Sequence, residues 1–328
     1  ENGKILIKMN YKLKKISGDA SFREFYRVKK NNKTSIIVFA KKEKFKNLLV
    51  YCVVNNILNK NKILSPQLLK NFYKNDLIEI TDLGHKSFFQ LVKNKKNKTK
   101  YYKNLIELII KIQKIKPKKS YSYLGKKIKL GVYNIRSLHE ESDLFFDWYL
   151  KFSINKRKVK QVKKVLRNEL NLIYKKLYFK NKYFTHRDFH AENIMVNKKR
   201  FGVIDSQDAI IGNPLYDVAS LIDDVRIKLP LNTQKILFEY YYNKSSLKSV
   251  NKIHLKNDFD ILSVQRCLKI LGIFVRLFKR DKKSKYLKYL PYTWKLIERR
   301  MENPIFLNFK KKMKAHLPLK KLKRIKKL

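Results

Sequence analysis

The stretch THRDFHAENIMVNKKRFGVIDSQDAIIGNPLYDVASLIDD, residues 185–224, concentrates the acidic side chains of a strongly basic chain. The 328 residues contain only 26 Asp and Glu against 79 Lys and Arg, and seven of the acids fall within these 40 positions. They are Asp188, Glu192, Asp205, Asp208, Asp217, Asp223 and Asp224. A chain so poor in acids that gathers them in one stretch has a local use for them. Residues 185–224 therefore mark the candidate functional site.

The overall charge admits two interpretations. The formal net charge of +53 is typical of proteins that bind nucleic acids or anionic membrane surfaces. The Lys residues, however, are scattered along the whole chain and are not confined to one face or tail, which favours a generally Lys-rich composition. With 44% hydrophobic and 13% aromatic residues, the chain is predicted to fold around a core, which excludes a disordered polycation.

The cysteines and the hydropathy of the chain argue against a disulfide-bonded or membrane-spanning protein. Cys52 and Cys267 lie in apolar segments far apart in the sequence and form no Cys-x-x-Cys pair, so we expect two reduced, buried thiols. No apolar run approaches the roughly 18 residues of a membrane span, and no apolar signal segment is evident. We expect a cytoplasmic protein without a membrane partner, and we assume a monomer.

Residues 1–83 are predicted to form a small unit that mixes strands with a helix. The segments 26–30 and 35–39 are strand-like and flank a polar turn, while residues 48–58 are apolar at helical spacing. A further strand is predicted at 77–80.

Residues 84–328 have a mainly helical pattern. Helices are predicted at 101–115, 143–152, 159–177 and 264–278, and a helix that Pro214 opens is predicted to run to about Arg226. Residues 194–196 and 201–204 are predicted to pair as a hairpin. The Lys-rich tail after Lys310 is predicted to be frayed.

The acids of the central stretch have the spacing that phosphoryl transfer needs. That chemistry requires metal ions on the phosphates, an oriented acceptor hydroxyl and positive charge near the nucleotide. His186-Arg187-Asp188 followed by Asn193 matches the H-R-D-x-x-x-x-N pattern of kinase catalytic loops. Asp188 is predicted to accept the proton of the acceptor hydroxyl. Asn193 and Asp205 are predicted to hold Mg²⁺, a hard cation that prefers oxygen ligands.

Two histidines near this motif are given no catalytic role. His186 is predicted to brace the loop, as polar residues of tight loops often do. His190 has no set of partner residues at the spacing of zinc ligands, which excludes metal-hydrolase chemistry at this position.

The segment that follows resembles the aminoglycoside phosphotransferase and choline kinase group of small-molecule kinases. The resemblance rests on Ile204-Asp205, then six residues, then Gly212-Asn213-Pro214-Leu215-Tyr216-Asp217. It implies an α+β, protein-kinase-like fold with two lobes, a small β-containing N-terminal lobe over 1–83 and a larger, mostly helical lobe over 84–328. In this pattern Asp217 would be a structural residue that starts a helix and braces the catalytic loop.

A narrower resemblance, to the anomeric kinases of N-acetylmuramate and N-acetylglucosamine, covers about residues 16–300. It rests on the Gly18-Asp19-Ala20-Ser21 opening, on Asp82-Leu83-Gly84, and on QRCLKILGIFVRL at 265–277. It implies an ATP site in which a phosphate-covering turn is followed by a hinge that meets adenine. The residues concerned are Ser17, Gly18, Asp19, Ala20 and Ser21 in the turn and Glu79, Ile80 and Asp82 in the hinge.

The acceptor site is predicted from side chains that suit sugar hydroxyls and carboxylates. Amide, carboxylate and guanidinium groups make such hydrogen bonds, and they point to Gln207, Asp208, Arg266 and Arg276. Arg266 and Arg276 are ten residues apart, roughly 15 Å along a helix, so they are not expected to hold one group together.

The sequence departs from the relatives at a few positions. The strand at 36–40 has no Lys to pair with the nucleotide phosphates, and Lys41 and Lys42 lie beyond it. Ser206 stands where relatives carry an aromatic residue, Cys267 where they often have His, and Glu192 where they often have Arg.

The function expected from these residues is ATP- and Mg²⁺-dependent phosphorylation of an amino-sugar hydroxyl, above all the anomeric one, in cell-wall sugar recycling. The substrate partner would be a small molecule. One alternative is a kinase of another metabolite, such as an amino alcohol or an aminoglycoside. A distant alternative, from another class, is a non-catalytic basic protein that binds nucleic acid, which the net charge alone supports.

Overall fold

A computed structural model describes residues 12–16, 23–30, 33–40 and 46–323. The chain divides into two compact units, each built from several segments. Unit 1 comprises the residues up to Asn94 together with Lys118–Leu130 and Glu192–Ala209. Unit 2 comprises Lys95–Pro117, Gly131–Ala191 and the chain from Ile210 onward. The functional division between residues 83 and 84 stays a prediction.

The strands are short, and the longest of them lie near the start of the chain. They are β1 (Lys12–Ile16), β2 (Glu24–Lys30), β3 (Lys33–Phe39), β4 (Leu68–Phe72), β5 (Leu77–Thr81), β6 (Tyr121–Tyr123), β7 (Lys126–Ile128), β8 (Tyr183–Thr185), β9 (Ile194–Asn197), β10 (Arg200–Val203) and β11 (Ile210–Gly212).

Helices account for most of the remainder. They are α1 (Lys46–Lys60), α2 (Phe88–Val92), α3 (Thr99–Gln113), α4 (Ile135–Leu144), α5 (Lys156–Tyr174), α6 (Leu215–Ile222), α7 (Leu231–Lys244), α8 (Lys252–Asp281), α9 (Leu290–Arg300), α10 (Leu307–His316) and α11 (Leu319–Lys323). The helices predicted at 48–58, 101–115 and 159–177 are confirmed as α1, α3 and α5, with ends that shift by a few residues.

Unit 1 is built on an antiparallel sheet with the strand order β1-β2-β3-β5-β4. The apolar run of β3 divides between the two faces of this sheet, because successive side chains of a strand point in opposite directions. Ile36 and Val38 share a core cluster with Tyr51 and Cys52 of α1. Ile37 and Phe39 belong to a separate cluster. The strands predicted at 26–30, 35–39 and 77–80 are confirmed.

The hairpin predicted in the central stretch is confirmed as β9 and β10, which pair from Asn197–Arg200 to Ile194–Val203. It packs closely within unit 1, since a Cβ added to Gly202 would lie 2.8 Å from Leu83 Cδ1. Glycine at this position therefore allows β10 to approach its neighbours.

Unit 2 is organised around α8, a helix of 30 residues. The predicted apolar stripe is confirmed, because Val264, Cys267, Leu268 and Leu271 are all buried. The helix starts at Lys252, twelve residues before the predicted bound. A Cβ on Gly272 would lie 2.2 Å from the carbonyl oxygen of Leu144, so a glycine is needed where α8 meets the end of α4.

Two predicted helices of unit 2 have different bounds. The predicted helix at 143–152 is wrong as a single α-helix, since α4 ends at Leu144 and a π-helical turn, Phe145–Tyr149, follows. This wider turn carries the buried side chains of Phe145, Phe146 and Tyr149. The helix after Pro214 ends at Ile222 and not near Arg226, because Asp223 and Asp224 leave it to bind Arg300 and Ala191.

The prediction of a frayed tail after Lys310 is wrong as far as Lys323. α10 and α11 cover this segment, and Met313, Leu317 and Leu322 are buried. The Tyr149 hydroxyl also donates to the carbonyl of Leu322 at 2.6 Å. The few apolar residues among the many Lys of this tail are spaced so that two helices can pack.

Both cysteines are buried free thiols, as predicted. Among the residues that the structure describes, no helix is both long enough and apolar enough to cross a membrane.

Candidate active site

His186, Arg187 and Asp188 of the catalytic-loop motif lie in unit 2 and follow the short strand β8. β8 and β11 are antiparallel, with Thr185 opposite Ile210, and the chain leaves β8 directly into His186. Asp217 on α6 accepts the backbone N–H of His186 at 2.7 Å and that of Arg187 at 2.9 Å. One buried carboxylate thus ties the loop to α6 and supports a backbone in which Arg187 has a φ of +72°.

The Arg187 side chain is anchored by Glu141, a buried carboxylate on α4. Arg187 donates to Glu141 Oε1 through Nε at 2.9 Å and through Nη2 at 2.5 Å. The carboxylate also accepts hydrogen bonds from the hydroxyls of Tyr133 and Tyr216, from Gln265 Nε2 at 3.0 Å and from Lys269 Nζ at 2.7 Å. Although burial opposes ionisation, Lys269 and Arg187 hold the pKa of Glu141 well below its usual range. Glu141 therefore links α4, α6 and α8 to the catalytic loop.

Asp188 stands next in the loop, with 39% of its side chain exposed. Burial of the remainder works against ionisation, but His190, Lys269 and Arg266 together lower its pKa. His190 itself is neutral at physiological pH, because burial lowers its pKa to about 4. The positive charges of Lys269, Arg266 and Arg226 therefore keep Asp188 ionised near neutral pH. An ionised, solvent-accessible carboxylate is able to accept a proton.

Asn193 and Asp205 lie in unit 1, at the two ends of the β9–β10 hairpin. The backbone N–H of Ile204 donates to the carbonyl of Asn193 at 3.0 Å, which extends the hairpin pairing by one step and brings the two ends together. Asp205 has left-handed backbone angles, with φ of 60° and ψ of 41°, and 33% of its side chain is exposed. Strained backbone of this kind is common at functional sites.

The donor chemistry of this pair fits Mg²⁺. Both side chains offer oxygen, and Mg²⁺ is ordinarily held by one or two such groups together with substrate phosphates and water. No cluster of three or more His, Cys, Asp and Glu that could enclose a metal ion occurs in the described part of the chain. Asn193 and Asp205 would hold the ion, which would supply charge compensation for the nucleotide phosphates.

Ser206 and Glu192 both make hydrogen bonds within unit 1. The Ser206 hydroxyl donates to Asn55 Oδ1 on α1 at 2.6 Å, and both side chains are buried. Glu192 accepts a hydrogen bond from Ser87 Oγ, the N-cap of α2, at 2.9 Å.

The predicted hinge lies at the end of β5. Glu79 and Ile80 are within the strand, which pairs with β3 on one side and β4 on the other. Asp82 follows the strand and binds Arg27 Nε at 2.6 Å and the backbone N–H of Gly84 at 2.9 Å. The predicted phosphate-covering turn, Ser17 to Ser21, lies outside the described residues.

The four predicted acceptor residues fall into two pairs. Gln207 and Asp208 belong to unit 1, where they form a short 3₁₀ turn after Asp205. Arg266 and Arg276 belong to α8 in unit 2. Arg266 is buried, its guanidinium lies 5.2 Å from the Tyr216 ring centre, and its Nη1 has no hydrogen-bond partner. Arg276 is half-buried, and its Nε likewise has none.

Residues 12–248 match the model of the phosphotransferase enzyme family described as APH. The chain belongs to this phosphotransferase enzyme family. It is accordingly an enzyme of the small-molecule kinase type. The alternative of a non-catalytic protein that binds nucleic acid is not supported.

Relatives with assigned names are similar to this phosphotransferase over most of its length. An N-acetylmuramate/N-acetylglucosamine kinase from Pseudomonas aeruginosa is 25% identical, and the match covers 86% of this chain and 81% of the relative. A protein of the same name from Neisseria meningitidis is 24% identical over 84% of this chain and 81% of its own.

Solved structures confirm the predicted fold class. A choline/ethanolamine kinase family protein from Mesorhizobium loti has a TM-score of 0.60 at 14% identity, with 95% of each chain covered. A spectinomycin phosphotransferase in complex with ADP and spectinomycin has a TM-score of 0.60 at 13% identity, covering 91% of this chain and 97% of its own. The phosphotransferase thus has a kinase-like α+β fold with an antiparallel N-terminal sheet and a mostly helical remainder.

Sequence reasoning missed the residues that surround this motif. Glu141 is 46 positions from Arg187, and no spacing rule connects the two. The only available signal was its place among the few acids of the chain, next to Glu140 and near Asp143. Lys269 lies within the 265–277 run, and only the fold shows that it contacts Glu141.

Proposed function

We propose that this phosphotransferase transfers the γ-phosphate of Mg-ATP to a hydroxyl of an amino sugar, and that the hydroxyl is the anomeric one of N-acetylmuramate or N-acetylglucosamine. The observation that carries the substrate class is the likeness to kinases named for these two sugars, at 24–25% identity over more than four fifths of the chain. A place in cell-wall sugar recycling and a cytoplasmic location are parts of the same proposal.

Each step of the transfer has a residue that suits it. Asp188, held ionised by Lys269, Arg266 and Arg226, accepts the proton of the acceptor hydroxyl as the hydroxyl oxygen attacks the γ-phosphorus, and ADP leaves with the β–γ bridging oxygen. Asn193 and Asp205 would hold Mg²⁺, which would offset the charge on the phosphates. We assign the phosphate-covering role to residues Ser17 to Ser21 and the contact with adenine to the segment from Glu79 to Asp82, as the resemblance implies.

The charges around Asp188 favour a neutral or anionic acceptor over a cationic one. Arg266 and Lys269 both lie in the field of Asp188, and the buried Nη1 of Arg266 has a donor to offer. A buried donor that binds no protein group is costly unless a ligand satisfies it, and a sugar hydroxyl or carboxylate would do so. We assign Arg266 to the acceptor, while Arg276, Gln207 and Asp208 stay predicted acceptor residues. An amino alcohol or an aminoglycoside would bring positive charge towards these cations.

The test is a parallel assay of purified protein with Mg-ATP and four acceptors, namely N-acetylmuramate, N-acetylglucosamine, choline and kanamycin. Phosphorus NMR of the products would show a sugar 1-phosphate if the proposal is right. Phosphorylation of choline or kanamycin alone would transfer the assignment to the alternative class of acceptor. Phosphate on a different sugar hydroxyl would keep the amino sugar but refute the anomeric position.

A further inference from the structure

The third strand of the sheet lacks the cation that kinases place there. In protein kinases a lysine on this strand contacts the phosphates of the nucleotide. In β3 the sole lysine, Lys33, is exposed at the first position, and the buried segment from Ser35 to Phe39 has no cation. If the chain uses ATP as proposed above, another positive charge of unit 1 must take this role.

Arg23 is distinguished from the other cations of unit 1 by its burial. Among the Lys and Arg side chains that the structure describes in this unit, it is the one that is buried, with 5% of the residue exposed. It lies directly before β2, at the end of a strand that β1 and β3 flank. Burial of a permanent charge is costly without an anion, so we expect this guanidinium to bind anionic groups.

The surroundings of Arg23 belong to the predicted metal site. Its Nη1 lies 3.7 Å from Oδ1 of Asp205, the predicted Mg²⁺ ligand. Its guanidinium carbon lies 5.9 Å from the ring centre of Tyr51 on α1, which is itself buried. Sheet, helix and hairpin thus converge on this guanidinium within a single unit.

We propose that Arg23 binds the phosphate groups of the nucleotide, in the role that a lysine within β3 would otherwise have. This inference rests on the proposed function. A guanidinium presents a planar fork of N–H donors that matches two phosphate oxygens, and it keeps its charge at every physiological pH. A phosphate that shares a metal ion with Asp205 would lie next to this fork. Before the nucleotide arrives, Asp205 offsets the charge of Arg23.

The experiment compares the affinities of Mg-ADP and adenosine, measured by calorimetry on the whole chain. In Arg23→Ala we expect Mg-ADP to bind roughly tenfold to hundredfold more weakly, the value of one charge-assisted pair of hydrogen bonds, while adenosine binds as before. Arg23→Lys should recover part of the loss. Lys29→Ala removes one exposed positive charge from β2 and should leave both affinities unchanged.

The ratio of the two affinities protects the test against partial unfolding, because a smaller folded fraction weakens both ligands equally. An unchanged ratio in folded Arg23→Ala would overturn the proposal. Failure of Arg23→Ala, Arg23→Lys and Arg23→Met all to fold would also overturn it and would make Arg23 a structural residue. If the wild-type chain binds no Mg-ADP, the proposed function fails and the assignment of Arg23 fails with it. Mg-ADP binding without sugar phosphorylation would refute only the proposed acceptor, and the affinity ratio would then decide the assignment of Arg23.

Discussion

Arg187 in unit 2 and Arg23 in unit 1 each lie beside a carboxylate, and the two pairs differ in geometry. Arg187 makes two hydrogen bonds to Glu141, at 2.9 and 2.5 Å, and Glu141 is only 7% exposed. Arg23 Nη1 lies 3.7 Å from Asp205 Oδ1, and the Asp205 side chain is 33% exposed. A carboxylate surrounded by donors anchors the fold. A carboxylate that solvent reaches, at a looser distance from its arginine, can still coordinate a ligand.

The largest effect is expected at Asp188, the residue that the anchored loop presents. Asp188→Asn removes the proton acceptor but keeps the size of the side chain, so kcat should fall by about 10² to 10⁴. Nucleotide affinity should change little, because the predicted metal ligands, Asn193 and Asp205, belong to unit 1. Steady-state kinetics and Mg-ADP calorimetry measure the two quantities. Asp147→Asn, at an exposed carboxylate of the same unit, is the control. Near-normal turnover in Asp188→Asn would refute the assignment.

A second test breaks the anchor itself. Glu141→Gln keeps the shape but removes the charge that Arg187 and Lys269 share, and loss of one partner from a buried ion pair typically costs about 3 to 5 kcal/mol. Urea unfolding should show this cost, and kcat should fall because Arg187 loses its support. Glu140→Gln changes the neighbouring, exposed carboxylate and should stay within about 0.5 kcal/mol of wild type. Equal stability of both variants would show that Glu141 is no anchor.

Glu141 and Arg23 show the limit of what could be predicted from the sequence. Asp188, Asn193 and Asp205 follow a fixed local spacing, since a short loop and hairpin impose it, and the apolar stripe of α8 follows from helical periodicity. The position of Glu141 depends instead on how α4 packs against α8, which Gly272 permits. Arg23 follows the predicted turn from Ser17 to Ser21 by two residues, but its proximity to Asp205 depends on the hairpin and the sheet together. Contacts between segments that are distant in the sequence produce no periodic pattern from which they could be predicted.

The anchored loop should also be sensitive to pH through His190, whose side chain is 9% exposed. Burial lowers its pKa to about 4 from an unfolded value near 6.5, so the unfolded chain binds the proton more tightly. Its contribution to stability is complete above pH 6.5 and is lost as the pH falls towards 4. Between pH 7.5 and 4.5 the difference between wild type and His190→Gln should shrink by about 2 to 3 kcal/mol.

Asp217 acts in the same interval with the opposite sign. Burial raises its pKa to about 7, so the folded chain holds this proton more tightly and gains stability as the pH falls. The absolute unfolding curve therefore mixes the two groups, whereas the difference between wild type and His190→Gln isolates the histidine. Urea unfolding at a series of pH values provides the data. A difference that stays constant with pH would show that His190 titrates normally in the folded protein.

The smallest effect is expected at Arg27. This arginine belongs to the same unit as Arg23, but it makes short hydrogen bonds to its carboxylate. It lies in unit 1 like Arg23, yet its Nε and Nη2 bind Asp82 at 2.6 and 3.1 Å, and Nη2 also donates to the carbonyl of Gly84. Arg27→Lys loses the forked geometry and should cost about 1 to 2 kcal/mol of unfolding free energy. If short hydrogen bonds to a carboxylate mark a structural arginine, the ratio of Mg-ADP to adenosine affinity in Arg27→Lys should stay as in wild type. A fall in that ratio comparable with Arg23→Ala would show that the distance to the carboxylate does not distinguish the two roles.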